Sequence, residues 1–109
     1  MFTKKGKAME FQQLVNAVCR WASDRHIIPN SSPQAQLLKT MSELGELADA
    51  TAKNDVAGMR DGVGDVLVTL IIYCELRGLN ITACLEEAYG EIKDRRGTLT
   101  PEGIFVKQE

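Results

Sequence analysis

Between Asp55 and Gly78 the chain carries a stretch that is apolar nearly all the way round a helix, yet holds two aspartates, Asp61 and Asp65. Val63, Val66, Leu67, Val68, Leu70, Ile71 and Ile72 leave no continuous polar stripe for water, which is the pattern of a buried central helix. Asn54-Asp55 supplies a break and an N-cap, and Gly78 supplies a C-cap, so the spacing predicts a helix from about Val56 to Arg77. The β-branched residues of Val66–Tyr73 also permit a strand, but the length of the segment and its helix-type ends favour the helix. The apolar run from Val66 to Cys74 is too short to cross a bilayer, so protein must cover it. A chain of 109 residues builds one modest core, which makes a second subunit a natural part of that cover.

Three further helical segments surround it in sequence. The first runs from about Ala8 to Arg25, with Phe11, Leu14, Val15, Val18 and Ala22 at helical spacing. His26 to Ser31 reads as a loop. The second helix opens at Ser32-Pro33, an N-cap followed by proline in the first turn, and continues to about Lys53. Its expected core face is Leu37, Leu38, Met41, Leu44 and Ala48. The fourth runs from about Ile81 to Arg95 with a stripe of Leu85, Ala88, Tyr89 and Ile92. The tail holds a turn, Thr100-Pro101-Glu102-Gly103, then a short extended piece strapped over the helices. The expectation is an all-α, four-helix bundle, one domain over residues 1–109, completed by dimerisation.

Composition narrows the function classes. A net charge of −2 provides no basic face for DNA or RNA, although a small phosphorylated ligand needs only a locally basic pocket. Cys19, Cys74 and Cys84 are odd in number and form no CxxC, which points away from disulfides and zinc and towards a reduced, cytoplasmic protein. Cys74 reads as a core filler. The start, Met1 to Lys7, is basic but is followed by no apolar run, so it is not a signal peptide, and no membrane partner is expected.

The chemistry resides in carboxylates. Glu43 and Glu46 lie three apart on one side of the second helix. Alone, such a pair is most simply a solvated face. Asp61 and Asp65 lie four apart on the third helix, with Asp65 beside the most apolar residues of the chain. A carboxylate there requires a cation, a set of hydrogen bonds, a raised pKa or an arginine such as Arg60. Four acids from neighbouring helices, without Cys or His, suit Mg²⁺, with Mn²⁺ as a substitute. Gly45, Gly62 and Gly64 stand among these acids, and interior helix glycines are explained if they let the helices approach closely.

Glu43-Leu44-Gly45-Glu46 followed by Asp61-Gly62-Val63-Gly64-Asp65 resembles the paired acidic motif, ExxE then ExxD, of the MazG-like all-α nucleoside triphosphate pyrophosphatases. The likeness extends over Phe11–Trp21, Gln34–Ala48, the acidic helix and Lys93–Gly97. It is strongest to the short single-domain members often encoded by phages. The resemblance implies a four-helix protomer in dimers or tetramers, Mg²⁺, and attack of water at the α-phosphate. It carries metal and catalytic roles onto Glu43 and Glu46 and the closing metal ligand onto Asp65. The chain departs from the family at its third acid, where Gly62 stands and Asp61 is offered one residue earlier, and just before the first glutamate, where Ser42 stands in place of an acid.

Other candidates carry two readings each. Lys93 and Arg96 either hold substrate phosphates or serve the helix dipole, and Lys53 is a weaker phosphate candidate. Trp21, the only tryptophan, either stacks on a base or, as the commoner case, fills the core. Gln34 and Gln36 are placed to meet a base or ribose, and His26 has no evident partner. The expected function is Mg²⁺-dependent cleavage of NTP or dNTP to monophosphate and pyrophosphate. The alternatives are a narrow dUTP or dCTP pyrophosphatase and a non-catalytic helical module that binds metal or nucleotide.

Overall fold

The computed structural model describes residues 9–108; the basic start and the expected helix start at Ala8 lie outside them. Helix α1 spans Phe11–Asp24, α2 Ile27–Asn30, α3 Pro33–Ala52, α4 Val56–Arg77 and α5 Ile81–Ile92; strands β1 (Gly97–Leu99) and β2 (Phe105–Lys107) follow. The architecture is all-α apart from that terminal hairpin.

The helix ends follow from local chemistry. At α3 the Ser32 hydroxyl accepts from the Ala35 N–H at 3.0 Å, with Pro33 in the first turn. Asp55 accepts from the Gly58 N–H at 3.0 Å to open α4, and Asn80 does the same for Ala83 at 3.0 Å in α5. Gly78 closes α4 in the left-handed region (φ 70°), which glycine enters without a Cβ clash.

Three expectations need correction. The segment from His26 to Ser31 is not a plain loop, because Ile27–Asn30 closes one helical turn behind a left-handed His26. The last helix ends at Ile92, and Gly97–Leu99 joins an antiparallel ladder in which Thr98 faces Val106. The tail is therefore a β-hairpin rather than a strap; among the described residues neither of its strands packs its backbone against a helix. Thr100 Oγ1 accepts from the Ile104 N–H at 3.0 Å and holds its turn.

The third correction concerns α3. The antiparallel pair α3 and α4 forms the main packing unit, and α1 lies against α4. The face of α3 turned inward carries Gln36, Thr40, Glu43, Leu47 and Ala50, whereas Leu37, Leu38, Met41 and Leu44 face outward, Met41 being 64% exposed. On α4, Gly62, Thr69, Ile71, Ile72 and Cys74 are buried while Val63 and Leu67 stay open. At 100° per residue, the open residues of both helices fall on one side of the pair, and Glu46, Asp61 and Asp65 fall on the other. The stripe that amphipathic spacing assigns to the core is therefore open, and among the described residues nothing covers it.

Cys74 is buried, as a filler should be, and burial pushes its thiol up. Burial also pushes the Cys19 thiol up to about 12, aided by Glu75 beside it, so neither sulfur is a ready nucleophile. Among the described residues no single helix is long and apolar enough to cross a membrane.

Candidate active site

The acids lie around a close approach of α3 and α4. A Cβ on Gly62 would stand 3.0 Å from the Leu47 Cβ and 3.2 Å from its Cα, so any larger residue here would make the helices give by a few tenths of an ångström. Gly45 and Gly64 have nothing within 4 Å of such a Cβ, so of the three glycines only Gly62 is required for the contact. Higher in the pair, Thr40 Oγ1 donates to Thr69 Oγ1 at 2.8 Å, and Thr69 Oγ1 donates to the Val66 carbonyl at 2.9 Å. These ties set the register that brings the carboxylates face to face.

Glu43 occupies the middle of this contact and is 6% exposed. Its Oε1 accepts an ion pair from Lys39 Nζ at 3.3 Å, one helical turn back. Its Oε2 is buried with no hydrogen-bond partner. An orphaned carboxylate oxygen away from water is costly, and such groups are normally completed by a donor or an ion. The Glu46 carboxyl is pushed above its ordinary range, first because its protonated form can donate a hydrogen bond to Glu43, then by Glu43's charge, with desolvation and Asp65 adding and Lys39 opposing. Asp65 is raised by burial first, then by the charges of Asp61 and Glu43. Glu46 and Asp65 therefore both feel Glu43, and Asp65 also feels Asp61 on its own helix. The four acids are neighbours without being drawn in around a common centre: among the described residues no three acids are grouped as a metal's ligands would be.

Beside the acids lies an apolar cleft of about 400 Å³, lined by Leu14, Ala17, Val18, Trp21, Asp65 and Val68. A second cleft of about 430 Å³ shares Trp21 and Val68 and continues to Gln36 and Lys39. Together they make a trough walled by α1 and running along the acid side of the pair. Trp21 is half exposed here rather than core, with the Arg25 guanidinium 5.5 Å from its ring centre. The Gln36 amide donates to Ser31 Oγ at 3.0 Å, which fixes the side chain at the trough's far end.

The other candidates sit elsewhere. Lys53 pairs with Asp49 at 3.0 Å at the opposite end of α3. Gln34 is exposed at the start of α3, and His26 lines a surface hollow with Asn30 and Ser32. Lys93 and Arg96 follow α5, and neither α5 nor the hairpin contacts α3. Arg96 borders a cleft of about 610 Å³ with Arg95 and Lys107, and Glu91 and Asp94 offset part of their charge there. Sequence reasoning missed Lys39 altogether; its spacing of four from Glu43 was the available signal.

An antiparallel helix pair with acids facing across it, and a third helix walling an apolar trough beside them, is an all-α fold with an acidic, ligand-sized site. A model of the MazG nucleotide pyrophosphohydrolase domain matches residues 31–99, and the chain belongs to that family. In the search of curated proteins it is 40% identical, over 63 residues, to an uncharacterized 18.2 kDa protein in the rep-hol intergenic region of Haemophilus phage HP1 (strain HP1c1). That match covers 58% of this chain and 39% of the phage protein, so the chain spans well under half of the curated relative's length. Among solved structures it superposes, with a TM-score of 0.72 and 20% identity, on the cyanophage S-2L MazG-like pyrophosphohydrolase bound to dGDP and three catalytic Mn²⁺ ions per active site. The superposition covers 93% of this chain and 95% of that one and establishes the shared fold.

Proposed function

We propose that this chain is a divalent-metal-dependent pyrophosphohydrolase that cleaves a nucleoside or deoxynucleoside triphosphate to its monophosphate and pyrophosphate. The observation that carries the reading is the orphaned, buried oxygen of Glu43, set among three more acids at the mouth of an apolar trough. A hard cation fits this donor set, and Glu43, Glu46, Asp61 and Asp65 would hold it. Mg²⁺ is the proposed resident ion and Mn²⁺ its substitute; the cyanophage protein carries Mn²⁺. When bound, the ion lowers the pKa of the attacking water and neutralises charge on the phosphates.

The residues do the rest. Glu46, whose carboxyl is already pushed up by Glu43, takes the proton of a water directed at the α-phosphorus. The bond to the β-phosphate breaks and pyrophosphate leaves. Trp21 offers a face for the base, and Gln36, held by Ser31, offers an amide to its edge. Lys93 and Arg96 are proposed phosphate contacts that act from a second copy of the chain, since among the described residues neither α5 nor the hairpin contacts α3, and Lys53, paired with Asp49 at the end of α3, is a weaker one. A homodimer or homotetramer is proposed on the open stripe of Leu37, Met41, Leu44, Val63 and Leu67, which a second α3–α4 pair would cover. A cytoplasmic location, and a single domain over residues 1–109, complete the reading.

A second reading keeps the site without turnover, as a metal- or nucleotide-binding module. The acids that stay apart and the Gly62 contact that leaves no room for the family's glutamate favour it. Product analysis separates the two. The protein is incubated with Mg²⁺ and each common NTP and dNTP, dUTP and dCTP included. Monophosphate with pyrophosphate, lost in Asp65→Asn, supports the enzyme and names the base. Nucleotide-dependent thermal stabilisation with no product from any of them supports the module.

A further inference from the structure

Among the described residues Lys39 is the cation whose charge reaches Glu43, Glu46 and Asp65 together. Its Nζ is paired to Glu43 at 3.3 Å, and its charge also draws down the carboxyls of Glu46 and Asp65 against their mutual repulsion. The same side chain borders the trough beside Trp21 and Gln36. It is 62% exposed, so its head group is free to move, whereas the Glu43 carboxylate it touches is 8% exposed and is held in place. One flexible ammonium thus stands between the place where a cation belongs and the place where a phosphorylated ligand enters. Lysine is suited to this as a compact point charge on a four-carbon stem.

Two consequences follow from charge alone. A metal ion that approaches Glu43 without nucleotide must displace Lys39 or sit against it, and like charges at such a distance oppose each other. A nucleotide that arrives with the ion brings negative phosphates and gives the displaced ammonium a new partner. The pair with Glu43 is then lost at little cost.

We propose that Lys39 couples the two ligands: it keeps Glu43 occupied in the absence of metal, weakens binding of the metal alone, and turns to the phosphates when metal and nucleotide load together. The inference rests on the acid cluster's being a metal–nucleotide site, which the buried, unpartnered Glu43 Oε2 supports independently of Lys39. The coupling is reciprocal by linkage, so each ligand strengthens the other.

The test is titration of Mn²⁺ alone, followed by the paramagnetic signal of the free ion, on the wild type, Lys39→Met, Lys39→Arg and Glu43→Gln. Lys39→Met is expected to bind Mn²⁺ on the order of fivefold more tightly than the wild type, and Lys39→Arg to stay near it. Glu43→Gln is expected to lose tight binding. In steady state, Lys39→Met is expected to raise KM for the metal–nucleotide more than it lowers kcat. Opposite movements of Mn²⁺ affinity and KM support the coupling, because a merely structural role would weaken both. Unchanged or weaker Mn²⁺ binding in Lys39→Met, with Glu43→Gln still defective, overturns the role of Lys39 and leaves the site intact. Absence of Mn²⁺ binding in the wild type and Lys39→Met alike overturns the metal reading itself, and the coupling with it.

Discussion

Replacing Gly62 by alanine tests the helix contact that organises the site. The new Cβ would meet Leu47 at 3.0 Å from its Cβ and 3.2 Å from its Cα. The second of these is backbone, so rotamer change cannot relieve it and α3 must shift from α4 by a few tenths of an ångström. Overpacking of this kind costs about 1–3 kcal/mol. Alanine in place of glycine inside a helix returns about 1 kcal/mol through propensity and the unfolded chain. The expected net loss is about 1 kcal/mol. Gly45→Ala and Gly64→Ala serve as matched controls, because their added Cβ meets nothing within 4 Å and only the gain remains. Each should stabilise the protein by about 0.5–1 kcal/mol. Urea unfolding followed by far-ultraviolet circular dichroism, at one protein concentration, should therefore place Gly62→Ala about 2 kcal/mol below Gly64→Ala at an unchanged m-value. The shift should also part Glu43 from Asp65 and lower kcat in Gly62→Ala alone. If Gly62→Ala gains as much as Gly64→Ala, α3 and α4 do not touch there and the reasoning fails.

Glu46→Gln is expected to remove hydrolysis while leaving the protein folded, which product formation and circular dichroism check together. Both Glu46 and Asp65 carry raised carboxyls, so their ionised forms oppose folding. In chelator, thermal stability should accordingly fall as pH rises above the ordinary carboxylate range, and Asp65→Asn should flatten that slope and raise Tm at neutral pH; a Tm that climbs over the same interval contradicts the shifts. Thr69→Val breaks the hydroxyl contact across the pair but leaves Thr40 the Gln36 carbonyl at 2.9 Å as acceptor, so it should cost only about 0.5–1.5 kcal/mol by urea unfolding, and a loss well beyond that would mean that the Thr40–Thr69 tie is not the only thing removed. Met41→Asp with Leu44→Asp should convert an assembled species to monomer by light scattering, and a wild-type protein that is already monomeric at micromolar concentration rules out the proposed interface.

Much of this molecule is written in short-range chemistry. Ser32-Pro33, Asp55 and Gly78 mark helix ends because a cap depends on residues a turn away, and each appears where expected. The four acids were also legible, since spacings of three and four put side chains on one face whatever surrounds the helix. What the spacing of α3 leaves undecided is which side of the helix turns inward. Leu37, Met41 and Leu44 form the more apolar stripe, but α4 meets the opposite choice, Thr40, Glu43 and Leu47. Gly62 allows that approach and the Thr40–Thr69 bond holds it, and both are contacts between residues distant along the chain. The burial of Glu43, the orphaned oxygen it leaves, and the trough that joins Trp21 to Asp65 follow from that pairing. Periodicity reports that a face is apolar, and only packing decides what covers it.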